Sequence, residues 1–149
     1  MNTALVKAAT DTIAMVCGQE LVEQPSYTHR REVIDNSVAV VLEFVGEVTG
    51  KVVIRFTEDN AKKTASAMMC GMPVEELDAM AISALSELGN MIMGGAASNI
   101  AEQGVNVDIT TPTLELGAVH IKGNAYSVSI PLQNSDIRVV LDISITRGT

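Results

Sequence analysis

Apolar residues Leu5, Val6, Ala9, Ile13 and Val16 recur at helical spacing between Thr3 and Cys17, so the chain is expected to open with an amphipathic helix that ends at Gly18. After it, "QPSYTHRREVID" offers turn chemistry at Pro25 and a mixed extended stretch. The pattern then changes: "NSVAVVLEFVGEVTGKVVIRFT" is β-branched on both sides of a Gly-bearing turn from Gly46 to Gly50, which predicts an antiparallel hairpin. Thr57 or Glu58 is placed to cap a short helix through Met69, with Gly71 closing it and Pro73 barring its continuation. From Pro73 to about Gln103 the helical period returns, closed by Gly104. "VNVDITTPTLEL", "NAYSVSIPL" and "DIRVVLDISI" follow as strands, with "QNSD" turning the chain between the last two.

The two halves repeat this plan. "GQELVEQPSYT", leading to "NSVAVVLEF" and "GKVVIRF", has a counterpart in "GVNVDITTPTL", leading to "NAYSVSI" and "DIRVVLDI", and a helix precedes each run. An internal pseudo-duplication and a plain alternation of helices and strands both give this look. Either way the expected class is α+β, an antiparallel sheet with helices packed on one face, and the 149 residues fit one domain, 1–149, with ample apolar content for a single core.

The long helix carries the unusual stretch, "SALSELGNMIMGG". At 100° per residue from Ser83, the apolar set Ala81, Ile82, Leu85, Leu88, Ile92 and Ala96 falls between about 140° and 260°, a buried stripe suited to a sheet. Glu87 falls near 40° and Asn90 near −20°, on the opposite side with Ser83 and Gly94. Ser86, Ala97 and Ser98 flank them, so two longer polar side chains stand among very small neighbours. An exposed helix face without a duty usually carries Lys, Glu, Gln or Arg, and glycine at 89, 94 and 95 costs roughly 1 kcal/mol each relative to alanine in a helix interior. A small-residue groove lets another protein's backbone approach closely, with Glu87 and Asn90 projecting into it. Ordinary surface polarity, with the glycines serving packing on the sheet, accounts for the same pattern.

Charge and composition narrow the classes. The net charge is −8 and the pI near 4.6, so the global field repels phosphate backbones and anionic lipid, and nucleic acid is not an expected partner. Aromatic residues are only 3% of the chain, which argues against base-stacking platforms. The longest apolar runs, such as Val38 to Val45, are broken well short of the roughly 20 residues of a membrane span. The first residues lack a leader's charged start and continuous apolar core, so the chain is expected to be cytoplasmic. Cys17 and Cys70 lie far apart in apolar surroundings and read as buried free thiols of a reducing compartment; no pair is spaced for zinc.

"ASAMMCGMPVEELDAMAISALSELGNMIMGG" followed by "VDITTPT" resembles the CheC/CheX/FliY family of chemotaxis phosphatases, the CheX branch most closely. The family's motif runs Ser or Asp, three residues, Glu, two residues, Asn, then a Pro some twenty residues on, and Ser83, Glu87, Asn90 and Pro112 stand in that order here. The resemblance implies a substrate: a phosphorylated receiver domain, CheY or a relative, carrying an acyl phosphate on an aspartate. It implies that Asn90 enters the receiver's active site and orients water, that Glu87 pairs with the receiver's active-site lysine, and that Ser83, Ser86, Gly94 and Ala97 line the docking strip. Mg2+ would belong to the receiver, with no cofactor bound by this chain, and the assembly would be a homodimer. Some family members repeat the motif on the first helix; Asn2 stands about as far before Pro25 as Asn90 before Pro112, but Met1 leaves no room for the glutamate, so one site per chain is expected.

The remaining candidates are weaker. His29 and His120 are isolated, with no Ser or Cys in a nucleophile setting. Glu75, Glu76 and Asp78 read as the acidic opening of the long helix. Met68, Met69, Met72, Met80, Met91 and Met93 read as core or dimer surface, or an adaptable binding surface. Gly94-Gly95 lacks the Lys and Ser/Thr of a phosphate loop. The expected function is an aspartyl-phosphate phosphatase acting on a response regulator; the alternatives are a non-catalytic receiver-binding adaptor using the same surface, and a dimeric module of a larger assembly.

Overall fold

The computed structural model describes the backbone of residues 2–29, 33–120 and 127–147, and the side chains of 2–28, 38–117 and 128–144. The described elements are α1 (Asn2–Cys17), β1 (Val22–Glu23), β2 (Tyr27–His29), β3 (Val33–Gly46), β4 (Val48–Phe56), α2 (Glu58–Met68), α3 (Ala79–Ala101), β5 (Val107–Ile109), β6 (Thr113–His120), β7 (Ser127–Gln133) and β8 (Arg138–Arg147). The strands form an antiparallel sheet in the order β1-β7-β8-β4-β3-β5, with β2 also pairing β7 and β6 also pairing β3. The class is α+β, as expected.

The order is symmetric about its middle. α1-β1-β2-β3-β4 and α3-β5-β6-β7-β8 take equivalent places, with α2 inserted between, and the pseudo-two-fold passes through the β4–β8 pair near Ile54↔Leu141. The strands that precede each hairpin are exchanged: β1 and β2 of the first half pair with β7 of the second, and β5 and β6 pair with β3 of the first. Gly18 at φ +66° and Gly104 at φ +86° end α1 and α3 alike, each in the left-handed turn that glycine enters without a Cβ clash.

One sheet face makes the core. Val40, Leu42, Val52, Ile54, Leu132 and Leu141 alternate onto it and are fully buried against Leu85, Leu88 and Ile92 of α3 and Leu5 and Ile13 of α1. Each such Leu or Ile contributes about 1.5–3 kcal/mol by leaving water. The other face carries Ala39, Val53 and a buried polar group: Arg55 Nε donates to Asp142 Oδ2 at 2.5 Å, Arg55 also donates to the Tyr27 hydroxyl at 2.8 Å, and the Ser129 hydroxyl donates to Asp142 Oδ1. Burial alone would lower the Arg55 pKa; the hydrogen bond and charge of Asp142, with Tyr27 adding to them, outweigh it and raise it. Four strands, β2, β4, β7 and β8, are joined through this one carboxylate and guanidinium.

Several boundaries differ from expectation. The long helix starts at Ala79 and not at Pro73, because the Asp78 carboxylate accepts from the Ala81 N–H at 2.9 Å and caps it there. Glu75 and Glu76 therefore sit in the loop before the helix and do not line its first turn. Thr57 is the N-cap of α2, accepting from Asn60 N–H at 3.2 Å. At that helix's other end the left-handed turn begins one residue early, at Cys70 (φ +57°), and the Gly71 N–H reaches back to the Ser66 carbonyl at 2.8 Å. In the first hairpin the last pair between the two strands is Phe44↔Gly50; β3 runs on to Gly46 beside β5 and β4 begins at Val48 beside β8, leaving Glu47 between them at the tip. Gly46 has φ +138°, and a Cβ on it would stand 2.9 Å from the Asn106 carbonyl oxygen.

Candidate functional site

α3 lies across the sheet with its apolar stripe down, so its opposite face is turned outward. Ser83, Glu87 and Asn90 are exposed, while Ser86, Gly94 and Ala97 are half-buried beside them. A rise of about 1.5 Å per residue places Glu87 and Asn90 about 4.5 Å apart along the axis, close enough for one ligand group to meet both. Neither side chain has a hydrogen bond or ion pair with any described residue. The helix is held rigidly by its buried stripe and its Asp78 cap, so these two groups are presented on a fixed support with their polar atoms uncommitted.

The three glycines of the stretch have different causes. At Gly89 a Cβ would stand 2.7 Å from Val40 Cγ1, and at Gly95 one would stand 3.3 Å from Ala8 Cβ; these two let α3 settle onto β3 and α1. At Gly94 an added Cβ meets nothing within 4 Å. Packing inside the chain therefore explains two of the glycines and leaves Gly94, on the outward strip, unexplained by this chain's own fold.

Pro112 is half-buried in the loop between β5 and β6, and both strands pack against α3. That loop is tied down where Thr110 N–H donates to the Glu43 carbonyl at 3.0 Å and Glu43 N–H donates to Thr110 Oγ1 at 2.9 Å. Asn2 is not brought to the site. α1 runs antiparallel to α3, with the Ala4 carbonyl accepting from Asn99 Nδ2 at 3.3 Å and Ala8 against Gly95, so Asn2 lies past the far end, more than about 13 Å along the axis from Asn90.

The other candidates sort by exposure. The side chains of His29 and His120 lie outside the described residues. Cys17 is half-buried, and that burial pushes its thiol up to about 11. Cys70 is exposed, against the expectation of a buried thiol, because the left-handed turn after α2 swings it outward. Met93 is fully buried, Met68 and Met69 pack on the core, and Met91 is half-buried. Met72 and Met80 are exposed instead, at 58% and 63%. Met80 falls on the strip itself, three residues before Ser83, a place that the 100° count gives but that the strip's polar composition hides. Among the described residues no three of His, Cys, Asp and Glu stand together as a metal site, and no helix is long and apolar enough to cross a membrane.

The family model for the chemotaxis phosphatase CheX matches residues 38–133. The CheY-P phosphatase CheX of Thermotoga maritima is 36% identical over 131 residues, spanning 87% of this chain and 84% of that protein. Among solved structures, chemotaxis protein CheX from Desulfovibrio desulfuricans superposes with a TM-score of 0.88 at 20% identity, covering 97% of each chain. The CheX–CheY–BeF3–Mg2+ complex from Borrelia burgdorferi matches at 0.79 and 19% identity, again covering 97% of each chain. Thermotoga maritima FliY follows at 0.73 and 19%, over 97% of this chain and 84% of that one. At those identities the structures establish the fold, and with the family model and the Thermotoga relative they lead to one conclusion: this chain belongs to the CheX family of chemotaxis phosphatases.

Proposed function

We propose that this protein hydrolyses the aspartyl phosphate of a response-regulator receiver domain of the CheY type. The observation that carries the reading is the pair Glu87 and Asn90, exposed and uncommitted on the outward face of a packed helix, in a chain 36% identical to a CheY-P phosphatase. An acyl phosphate passes through a loose transition state, so its hydrolysis is accelerated mainly by placing water in line and by electrostatics. The Asn90 carboxamide oxygen accepts from the attacking water while its NH2 donates to a phosphoryl or backbone oxygen. The water oxygen bonds to phosphorus, the bond from phosphorus to the aspartyl oxygen breaks, and inorganic phosphate leaves the free carboxylate behind. Glu87 pairs with the receiver's lysine and fixes the register of docking. Gly94, Ser83, Ser86 and Ala97 keep the strip low enough for the receiver's backbone to approach. The receiver carries the Mg2+, and the chain works as one domain, 1–149, in a homodimer with one site per chain.

The test follows the decay of a phosphorylated receiver with Mg2+ present, alone, with this protein, and with Asn90→Ala. Wild type speeds the decay, and Asn90→Ala loses about 10²-fold of the added rate while still binding. Binding by both proteins without acceleration by either would make this an adaptor. Chelating Mg2+ removes the acceleration but leaves this protein's own thermal midpoint in place.

A further inference from the structure

We infer that the receiver is gripped at a second point, a cavity at the N-terminal end of α3 that takes an apolar side chain lying next to a lysine or arginine. The inference rests on reading Glu87 and Asn90 as the receiver-docking pair. The cavity measures about 300 Å³, and its walls include Met69, Met72, Val74 and Met80. Glu75 and Glu76, both exposed, line it as well.

The cavity is continuous with the docking strip. Met80 precedes Ser83 by three residues and Glu87 by seven, so Met80, Ser83, Glu87, Asn90 and Gly94 lie along one helix face. A body seated on Glu87 reaches Met80 by extending about 10 Å toward the start of the helix. It needs such an extension: a specific interface covers about 800 Å² on each partner, and two polar side chains among Ser, Gly and Ala supply neither that area nor an apolar anchor. The opposite extension leads to Ser98, Ala101, Glu102 and Gln103, which are exposed and small or polar. The apolar surface is at the cavity end.

The chemistry of the occupant follows from the lining. Met72 and Met80 are 58% and 63% exposed, so their thioethers are not filling this chain's own core. Flexible methionine walls adapt to aliphatic and aromatic shapes alike. Asp78 is engaged as the helix cap, whereas Glu75 and Glu76 are exposed and have no cation partner among the described residues, so the lining favours a positive charge from outside. An acidic residue beside the apolar anchor would be repelled, which makes the cavity a selector among receivers that share one active-site chemistry.

The experiment labels the methionine methyl groups with carbon-13 and titrates the protein with a receiver held in its phosphorylated form by beryllium fluoride and Mg2+. In parallel, phosphatase kinetics compare wild type with Met72→Ala/Met80→Ala and with Glu75→Lys/Glu76→Lys. The methyls of Met72 and Met80 shift while the buried Met93 does not. KM rises about tenfold in each double variant with kcat within about twofold, and salt weakens binding less once the two glutamates are replaced. Exposed positions keep the variants folded, and an unchanged thermal midpoint checks it. Acceleration by wild type with unmoved methyls and unchanged KM overturns the second grip and leaves the phosphatase reading standing. Methyl shifts without acceleration leave the grip standing and overturn the phosphatase. No binding overturns both.

Discussion

Gly94 and Gly89 set the proposed docking role against packing within the chain. An added Cβ at Gly94 meets nothing in the chain, so Gly94→Ala is expected to stabilise the free protein by about 0.5–1 kcal/mol through helix propensity and a stiffer unfolded chain, seen as a higher urea midpoint. If the receiver docks on the strip as proposed, the same methyl stands in the way of its backbone, and KM for the phosphorylated receiver should rise. Gly89→Ala runs the other way: its Cβ would fall 2.7 Å from Val40 Cγ1, and the protein loses about 1–3 kcal/mol as β3 and α3 are pushed apart. A Gly94→Ala variant that gains stability and keeps its KM would remove Gly94 from the docking strip. The thiols make a second contrast. Cys70, exposed, reacts with iodoacetamide first, while Cys17 holds its proton until about pH 11. In the unfolded chain Cys17 ionises from its ordinary value of 9.0, so between pH 9 and 11 the unfolded state binds fewer protons and stability falls as pH rises. Cys17→Ala should flatten that part of a urea-midpoint profile against pH.

At the scale of elements, what was legible in the sequence was local. The hairpins β3–β4 and β7–β8 announced themselves because strand pattern and turn chemistry lie side by side, and α1 and α3 because their apolar period runs for several turns. The start of α3 misled because Pro73 suits a first helical turn and Glu75 and Glu76 suit a helix dipole, yet a side-chain cap at Asp78 overrides both. Asp78→Ala should therefore fray the first turn and cost about 1 kcal/mol, and it should loosen Met80 before it touches Asn90. The pairing of β1 and β2 with β7 had no local signal at all, since Val22 meets Gln133 and Tyr27 meets Ser129 across most of the chain. The polar group on the far sheet face was missed for the same reason: Arg55 and Asp142 are ordinary strand residues until β4 and β8 come together. Asp142 is 1% exposed, so Asp142→Ala leaves a largely buried guanidinium without its carboxylate, held by the Tyr27 hydroxyl, and should cost about 3–5 kcal/mol by chemical denaturation. Replacing both partners, Arg55→Met with Asp142→Leu, should recover much of that loss; a double variant as unstable as Asp142→Ala would show that other partners of the carboxylate dominate.

For the whole molecule, the exchange of strands between the halves decides how it comes apart. Each half of the pseudo-two-fold has a helix, a hairpin and two strands before it, the makings of a small domain, but neither half keeps those leading strands to itself. Among the described strands β7 has only β8 within its own half and takes β1 and β2 from the other, while β3 takes β5 and β6. The core is likewise shared, since Leu5 and Ile13 of α1 lie in one apolar cluster with Leu85 and Ile92 of α3. A half expressed alone would expose β7 or β3 along its length and lose half of that cluster, so residues 1–72 and 73–149 are expected to fold together or not at all. The intact chain should then melt in one step, with far-ultraviolet dichroism and Cys17 reactivity changing at the same temperature and with equal calorimetric and van't Hoff enthalpies. Such cooperativity serves the site, because Glu87 and Asn90 are then held at a fixed height above a sheet that cannot open by halves. Two separated transitions, or a soluble folded half, would show that the duplication still behaves as two domains and that the site rests on a looser support.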